Sequence, residues 1–265
     1  MHSRTASSRL WRRSWPAMPE QLSSLSIAVA CYNEEATILE VVDQSAETAA
    51  RLAREFKVLV VDDGSRDKSR EILLGMASSR PWLEIRFHEE NLGFGGTFTE
   101  LYTYEGCEFN AIMSGDGQFP PDQLEKMAPA LIRADLVLGK RRARQDPFRR
   151  KFTSYIYNVL VSCLAARRVY DVNSISIART SMMRRVNLTA ASAFLHAELY
   201  LECYRLGGRI AEVEIDHKPR LHGDAQGNKP KVMLSTGQEF LAYVRRKGPA
   251  WRPASVRLAE EKHQG

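Results

Sequence analysis

The chain reads as an α/β protein: a mostly parallel, Rossmann-like central sheet with helices on both faces. Three observations predict this. Short apolar runs alternate with stretches of helical periodicity. Runs such as Val58-Leu59-Val60-Val61 are apolar at every position, as strands covered on both faces must be. Polar, glycine-containing motifs follow the strands, and in such sheets ligands bind at those carboxyl ends.

Taken in order, strands are expected at Leu25–Ala30, Lys57–Asp62, Leu83–His88, Phe109–Ser114, Asp135–Gly139 and Ile210–Ile215. The first helical stretch, Glu34–Phe56, carries Ile38, Leu39, Val41, Val42, Leu52 and Phe56 at helical spacing. Arg66–Ala77 and Pro121–Arg133 repeat the pattern, and Pro121 suits a first turn, where its missing N–H costs nothing. Residues 1–24 are Arg- and Ser-rich, without the apolar core of a secretory signal, and read as a disordered basic tail. One domain is expected over 25–244 and a charged, proline-containing tail over 245–265.

Composition narrows the function. With 44% hydrophobic and 26% charged residues in 265, collagen-like, mucin-like and wholly disordered classes are excluded. A formal charge of +6 suits an anionic partner such as a nucleotide, a phospholipid headgroup or nucleic acid. No aromatic single-strand platform or helix-turn-helix signal accompanies it, so nucleic acid ranks last. Cys31, Cys107, Cys163 and Cys203 form no CxxC pair, which argues against zinc or a disulfide framework and for a reducing, cytoplasmic setting. No window reaches the ~20 apolar residues of a membrane span; the nearest, Tyr155–Ala166, is short and contains Asn158 and Ser162.

Four strand tips are polar and indicate a site along one edge: strand one runs into Cys31-Tyr32-Asn33-Glu34-Glu35, the second into Asp62–Ser65, the fourth into Ser114–Gln118 and the fifth into Gly139–Arg142. Asp62-Asp63-Gly64-Ser65 places two adjacent carboxylates where one helix cap would need only one, and aspartate there can accept from ribose hydroxyls or base N–H groups. Asn91-Leu92-Gly93-Phe94-Gly95-Gly96 opens a helix with GxGG spacing, short of a dinucleotide fingerprint; a tight turn explains it equally well. Ser114-Gly115-Asp116-Gly117-Gln118 offers a carboxylate and an amide oxygen to one hard cation, or else simply a turn before Pro120-Pro121. Gly139-Lys140-Arg141-Arg142 adds positive charge. His196 and His222 lack spaced partners for a metal, and His217 reads as a solvated loop residue.

In this order, Val29-Ala30-Cys31-Tyr32-Asn33-Glu34, Val60-Val61-Asp62-Asp63-Gly64-Ser65, Asn91-Leu92-Gly93 and Asp116-Gly117-Gln118 resemble the family 2 inverting glycosyltransferases with the GT-A fold. Arg141–Ser154, Asp171-Val172-Asn173, Glu198 and Pro219-Arg220 resemble the dolichyl- or polyprenyl-phosphate mannose/glucose synthase branch, and the likeness covers about Leu25 to Lys231. The resemblance implies transfer of a hexose from a nucleoside-diphosphate sugar to a polyprenyl phosphate. It implies Tyr32, Glu34, Asp62 and Asp63, with Asn91 and Gly93, against the nucleotide sugar. Asp116, Gln118 and Ser114 would hold Mg²⁺ or Mn²⁺; Asp116, Arg141 and Arg220 would be catalytic. Arg141, Arg150 and Ser154 would face the acceptor phosphate, and Glu198 the sugar.

The chain departs from the family pattern at three places. Ser114 replaces the first aspartate of the Asp-x-Asp metal motif, which implies weaker metal affinity or a cation that arrives with the nucleotide. Ala30 stands where proline is common, and Ser174-Ile175-Ser176 replaces an aromatic and a basic residue. Two alternatives stay open: a soluble-acceptor glycosyltransferase of the same fold, and a catalytically impaired nucleotide-sugar-binding homologue. The segment from Phe148 to Arg168, an apolar centre between cations, reads equally as a buried helix and as a helix in peripheral contact with the cytoplasmic face of a membrane.

Overall fold

The computed structural model describes residues 21–142, 148–219 and 230–248. Among the described residues, seven strands form one sheet in the order β3-β2-β1-β4-β6-β5-β7. They are β1 (Leu22–Cys31), β2 (Ala53–Asp62), β3 (Leu83–Phe87), β4 (Phe109–Ser114), β5 (Leu136–Arg141), β6 (Ser176–Arg179) and β7 (Ile210–Ile215). All pairings are parallel except those of β6, which runs antiparallel between β4 and β5. The expected parallel sheet is there; β6 was not anticipated.

Alternation along the strands splits the core in two. Leu25, Ile27 and Val29 of β1, with Val58 and Val60 of β2, face α1 (Ile38–Leu52), α2 (Ser69–Ala77) and α4 (Gln123–Met127). Ala28, Leu59, Val61 and Ile112 point the other way, toward α3 (Gly93–Tyr102), α5 (Phe148–Ala165), α6 (Thr180–Met183), α7 (Phe194–Arg205) and α8 (Pro230–Lys247). A strand with a helix layer on each side has no polar face, which is why β1, β2 and β4 read as continuous apolar runs.

Several boundaries differ from expectation, each for a physical reason. α1 stops at Leu52 because Ala53 turns extended and pairs with Leu22, so tertiary pairing overrides the helical pattern that continued to Phe56. β1 therefore begins at Leu22, inside the stretch assigned to the N-terminal tail; residues 1–20 lie outside the described residues. Pro129 lacks the N–H an α-helix would need there, and Ala128–Ile132 tightens into a 3₁₀ turn. α8 runs to Lys247, past the expected domain end. It is pinned to α7 through the Tyr243 hydroxyl, which donates to Glu202 at 2.8 Å and accepts from Arg205 at 2.9 Å.

Strand order reverses at β1: β2 follows on one side and β4 on the other. Such a switch point opens a crevice beyond the strand ends, because the connecting loops part in opposite directions. The register pairs Cys31 with Asp62 and Ala30 with Ser114, so the polar motifs leave the sheet at one level.

Candidate active site

The loops after β1 and β2 are stitched together. Asn33, at a positive φ of 55°, donates its N–H to Ser65 Oγ at 2.9 Å, and Arg66 N–H returns a bond to Asn33 Oδ1 at 2.8 Å. Glu35 N–H reaches Asp67 Oδ2 at 3.0 Å, while Lys68 N–H reaches Glu35 Oε2 at 2.9 Å. Glu34 N–H donates to Ser69 Oγ at 2.9 Å. Reciprocal bonds of this kind fix two loops as one wall, along which Tyr32 is partly buried and Glu34 nearly so. Gly64 is required behind it: its φ is +70°, and a Cβ there would come within 3.0 Å of the Asn91 and Glu90 backbone.

Asp62 ends β2 with no solvent exposure, and among the described residues its Oδ2 has no hydrogen-bond partner. Oδ1 accepts the Ser65 N–H at 3.4 Å. Burying a carboxylate oxygen unpaired is unfavourable, and such atoms concentrate where a ligand supplies the missing donor. Beside it the Cys31 thiol is pushed up to about 12 by burial and then by the Asp62 charge, so it is no nucleophile.

Asp63, expected beside the nucleotide, is bonded to the start of α3. Its Oδ1 accepts from Leu92 N–H at 2.7 Å and Oδ2 from Gly93 N–H at 3.0 Å, so it caps α3 from outside the helix. Asn91 Nδ2 donates to the Asp63 carbonyl at 3.1 Å. His88 lies between Asp63 and Glu100, 2.9 Å from each. Asp63, Asn91 and Gly93 thus set where α3 begins.

The loop after β4 closes the other side of the crevice. Gly115 N–H donates to the Ala30 carbonyl at 2.8 Å, and the Thr37 hydroxyl donates to the Gly115 carbonyl at 2.7 Å. Ser114 and Asp116 are partly exposed, Gln118 is mostly buried, and Asp116 Oδ1 accepts the Gln118 N–H at 3.0 Å. The segment after β7 is tied to this loop by Lys218 N–H to the Gln118 carbonyl at 2.9 Å. His217 packs edge-on to Phe119 at 5.0 Å, so an imidazole read as loop decoration stands at the Asp116–Gln118 loop.

Arg141 is placed at the tip of β5 but is engaged internally. Its Nε and Nη2 grip Asp171 at 2.6 and 2.7 Å, with Nη2 also 3.3 Å from the Asn173 carbonyl, and both side chains are almost fully buried. The first role of Arg141 is therefore to anchor the 171–173 segment. Glu198, expected beside the sugar, is buried and engaged internally. It accepts N–H groups of Thr189 and Ala190 at 2.7 Å each and pairs with Arg246 of α8 at 3.3 Å, so it braces a loop. Ser154 is partly buried on α5. Neither the Arg150 side chain nor Arg220 is among the described residues.

A sequence model of the family described as glycosyl transferase family 2 matches residues 26–189, the stretch from β1 to the loop before α7. The chain belongs to glycosyl transferase family 2. Among the relatives of this family member is the undecaprenyl-phosphate 4-deoxy-4-formamido-L-arabinose transferase of Photorhabdus laumondii, 25% identical over 222 residues, covering 81% of this chain and 66% of that one. A dodecaprenyl-phosphate galacturonate synthase of Rhizobium johnstonii is 29% identical over 216 residues, covering 77% and 62%. The chain thus spans a little under two thirds of the length of these relatives. The fold is shared with glucosyl-3-phosphoglycerate synthase of Mycobacterium tuberculosis in complex with Mn²⁺, UDP-glucose and phosphoglyceric acid. There the TM-score is 0.66 at 16% identity, over 84% of this chain and 79% of that one.

Proposed function

We propose that this glycosyltransferase moves a sugar, with inversion, from a nucleoside diphosphate to a polyprenyl phosphate. The observation that carries the reading is the unpartnered, buried Asp62 Oδ2 at the switch point, across one hydrogen-bonded bridge from an oxygen-rich loop. A ribose hydroxyl or base N–H satisfies that oxygen, and Tyr32 offers a flat neighbour for the base. The acceptor class comes from the relatives, named for transfer to undecaprenyl and dodecaprenyl phosphates.

The donor set on the β4 loop fits a hard divalent cation, Mg²⁺ or Mn²⁺: a hydroxyl at Ser114, a carboxylate at Asp116 and an amide oxygen at Gln118, with no soft ligand. Among the described residues there is no group of three His, Cys, Asp or Glu suited to a metal. One carboxylate gives weak intrinsic affinity, so diphosphate oxygens would complete the shell. When bound, the cation neutralises the departing diphosphate. Asp116 then orients that end of the donor, while the Asp62 wall holds the nucleoside and fixes the anomeric carbon between them. An acceptor phosphate is largely ionised near neutral pH and needs little from a general base.

Two helices support contact with a lipid surface. α5 exposes Tyr155, Ile156, Val159 and Leu160 on one stripe, and α8 exposes Met233, Leu234 and Leu241. Among the described residues no helix is long and apolar enough to cross a membrane. The reading is peripheral contact at the cytoplasmic face.

The test has two arms. A thermal-shift panel of UDP, GDP and dTDP, each with and without Mn²⁺, is expected to show one nucleotide raising Tm most when the cation is present. Transfer of the matching radiolabelled sugar is then expected with undecaprenyl phosphate in detergent and not with water-soluble acceptors. Transfer only to soluble acceptors would replace the acceptor assignment. Binding without any transfer, unrescued by Ser114→Asp, would leave a nucleotide-sugar-binding protein.

A further inference from the structure

His196 stands on the first turns of α7, read from sequence as an isolated histidine. Its ring is partly buried against three aromatic side chains of α3: Phe94 and Phe98, each with its centroid 5.1 Å away, and Tyr102 at 5.8 Å. Phe94 directly follows Gly93, the residue that Asp63 caps. Arg141 and Asp171 are its charged neighbours. The imidazole is therefore set between the helix that begins beside the Asp62 wall and the tip of β5.

One ring nitrogen of His196 is engaged by Tyr102. Burial pushes the His196 imidazole down to about 4, with Arg141 adding to the effect and Asp171 opposing it, so the ring is neutral near pH 7. Burial holds the Tyr102 phenol protonated, and Ser176 bonds its oxygen. Tyr102 Oη and His196 Nδ1 share one hydrogen bond, and the tautomer in which the phenol donates leaves the ring proton on Nε2. In the segment held by Arg141, Asn173 Oδ1 and Ser174 Oγ are buried without a partner among the described residues. Asn173 is held there by its carbonyl, which Arg141 Nη2 contacts. A ring N–H donor and unpartnered acceptors in one small region are what recognition of a polyhydroxylated ring demands.

We propose that His196 presents its Nε2–H to a hydroxyl of the transferred sugar and sets which sugar the enzyme accepts. The proposal rests on the nucleotide-sugar reading above and assigns the sugar-side contact within it. It places specificity on a helix packed against the sheet, at a residue the family motifs quoted for this chain do not include.

The test uses calorimetric titration of the full chain with Mn²⁺. Whichever of UDP, GDP and dTDP the wild type binds is compared with its glucose, galactose and galacturonate conjugates. His196→Phe keeps the aromatic packing and deletes the donor. It is expected to weaken the preferred nucleotide sugar by about tenfold while leaving the bare nucleotide within about twofold. His196→Gln restores an N–H and is expected to recover most of the loss. Both variants are checked by Tm, and if His196→Phe does not fold, the sugar ranking of His196→Gln against that of His196→Asn decides. Unchanged sugar affinity and ranking in the variants overturn the proposal, as does an equal loss for nucleotide and nucleotide sugar. A wild type whose affinity no sugar alters overturns it too. A wild type that binds no nucleotide at all overturns the underlying reading instead, which keeps the two failures distinct.

Discussion

The Thr37 hydroxyl donates to the Gly115 carbonyl at 2.7 Å, joining the loop after β1 to the loop after β4 across the switch point. The proposed nucleotide wall and the proposed cation loop are thereby one piece. Thr37→Val keeps the shape and removes the bond, at an expected cost of ~1 kcal/mol in stability. The larger effect is expected in coupling: Mn²⁺ should enhance nucleotide affinity less in the variant. Titrations with and without Mn²⁺ measure this, and equal enhancement in both proteins would show the bridge to be only structural.

Asp62→Asn separates stability from function. The wild-type carboxylate is buried with one oxygen unpartnered, so removing its charge is expected to leave Tm unchanged or raise it. Nucleotide affinity is expected to fall at least about tenfold, from loss of a charge-assisted acceptor. Thermal melts and nucleotide titration check both halves, and a variant that melts lower but binds normally would contradict the assignment.

On the cation loop, Asp116→Ala is expected to abolish transfer with the circular dichroism spectrum intact. Ser114→Asp adds a second carboxylate and is expected to lower the Mn²⁺ concentration needed for half-maximal activity. Wild-type turnover by Asp116→Ala would remove this residue from the mechanism.

Breaking the Arg141–Asp171 pair from one side leaves an uncompensated buried charge. Asp171→Ala is expected to cost about 3–5 kcal/mol, far more than an exposed pair would. Replacing both residues, as Arg141→Met with Asp171→Leu, is expected to recover much of that stability. Urea unfolding measures each. A small loss for Asp171→Ala would return Arg141 to a purely catalytic role.

Two histidines give pH dependences of opposite sense. Burial disfavours charge on His88, but hydrogen bonds and charges of Asp63 and Glu100 outweigh it and raise its pKa above the usual 6.5. The folded state therefore holds that proton more tightly than the unfolded state. The stabilisation is complete below about pH 6.5 and is lost as pH rises through the raised folded value. Amide exchange at Leu92 and Gly93 is expected to accelerate over that range, and a profile identical to that of His88→Phe would count against it. For His196, with a folded value lowered to about 4, the unfolded state takes up the proton first as pH falls. Stability is thus lost between about 6.5 and 4, a slope that His196→Phe should remove from acid titration melts.

The strand tips were legible because the physics behind them is local. An apolar run long enough to be covered on both faces must end where the chain turns polar, and Asp62, Ser114 and Arg141 mark those ends. β6 was not legible. Its four residues carry no pattern of their own, and they are a strand only because β4 and β5 leave backbone groups between them to be paired. Arg141 and Glu198 were recognised as charged residues at meaningful places, but residue type cannot reveal that their partners are internal. Asp171 lies thirty residues from Arg141, and the Arg246 that meets Glu198 lies forty-eight residues on. The bonds of Asp63 to the start of α3 were hidden for a similar reason: its partners, Leu92 and Gly93, lie far along the chain.

α8 reaches further than its place on the surface suggests. Its Glu239 accepts the N–H groups of Ala191 and Ser192, its Arg246 neutralises Glu198 beneath them, and the Ala191 carbonyl in turn holds the Gly95 N–H of α3. Gly95 fits there only because it has no side chain, since a Cβ would lie 2.2 Å from Ala191. All seven strands are synthesised before α8 emerges from the ribosome. The loop that seats α3 therefore depends on a helix encoded after every described strand, and a chain cut before α8 would be expected to keep the sheet pairings and lose that brace.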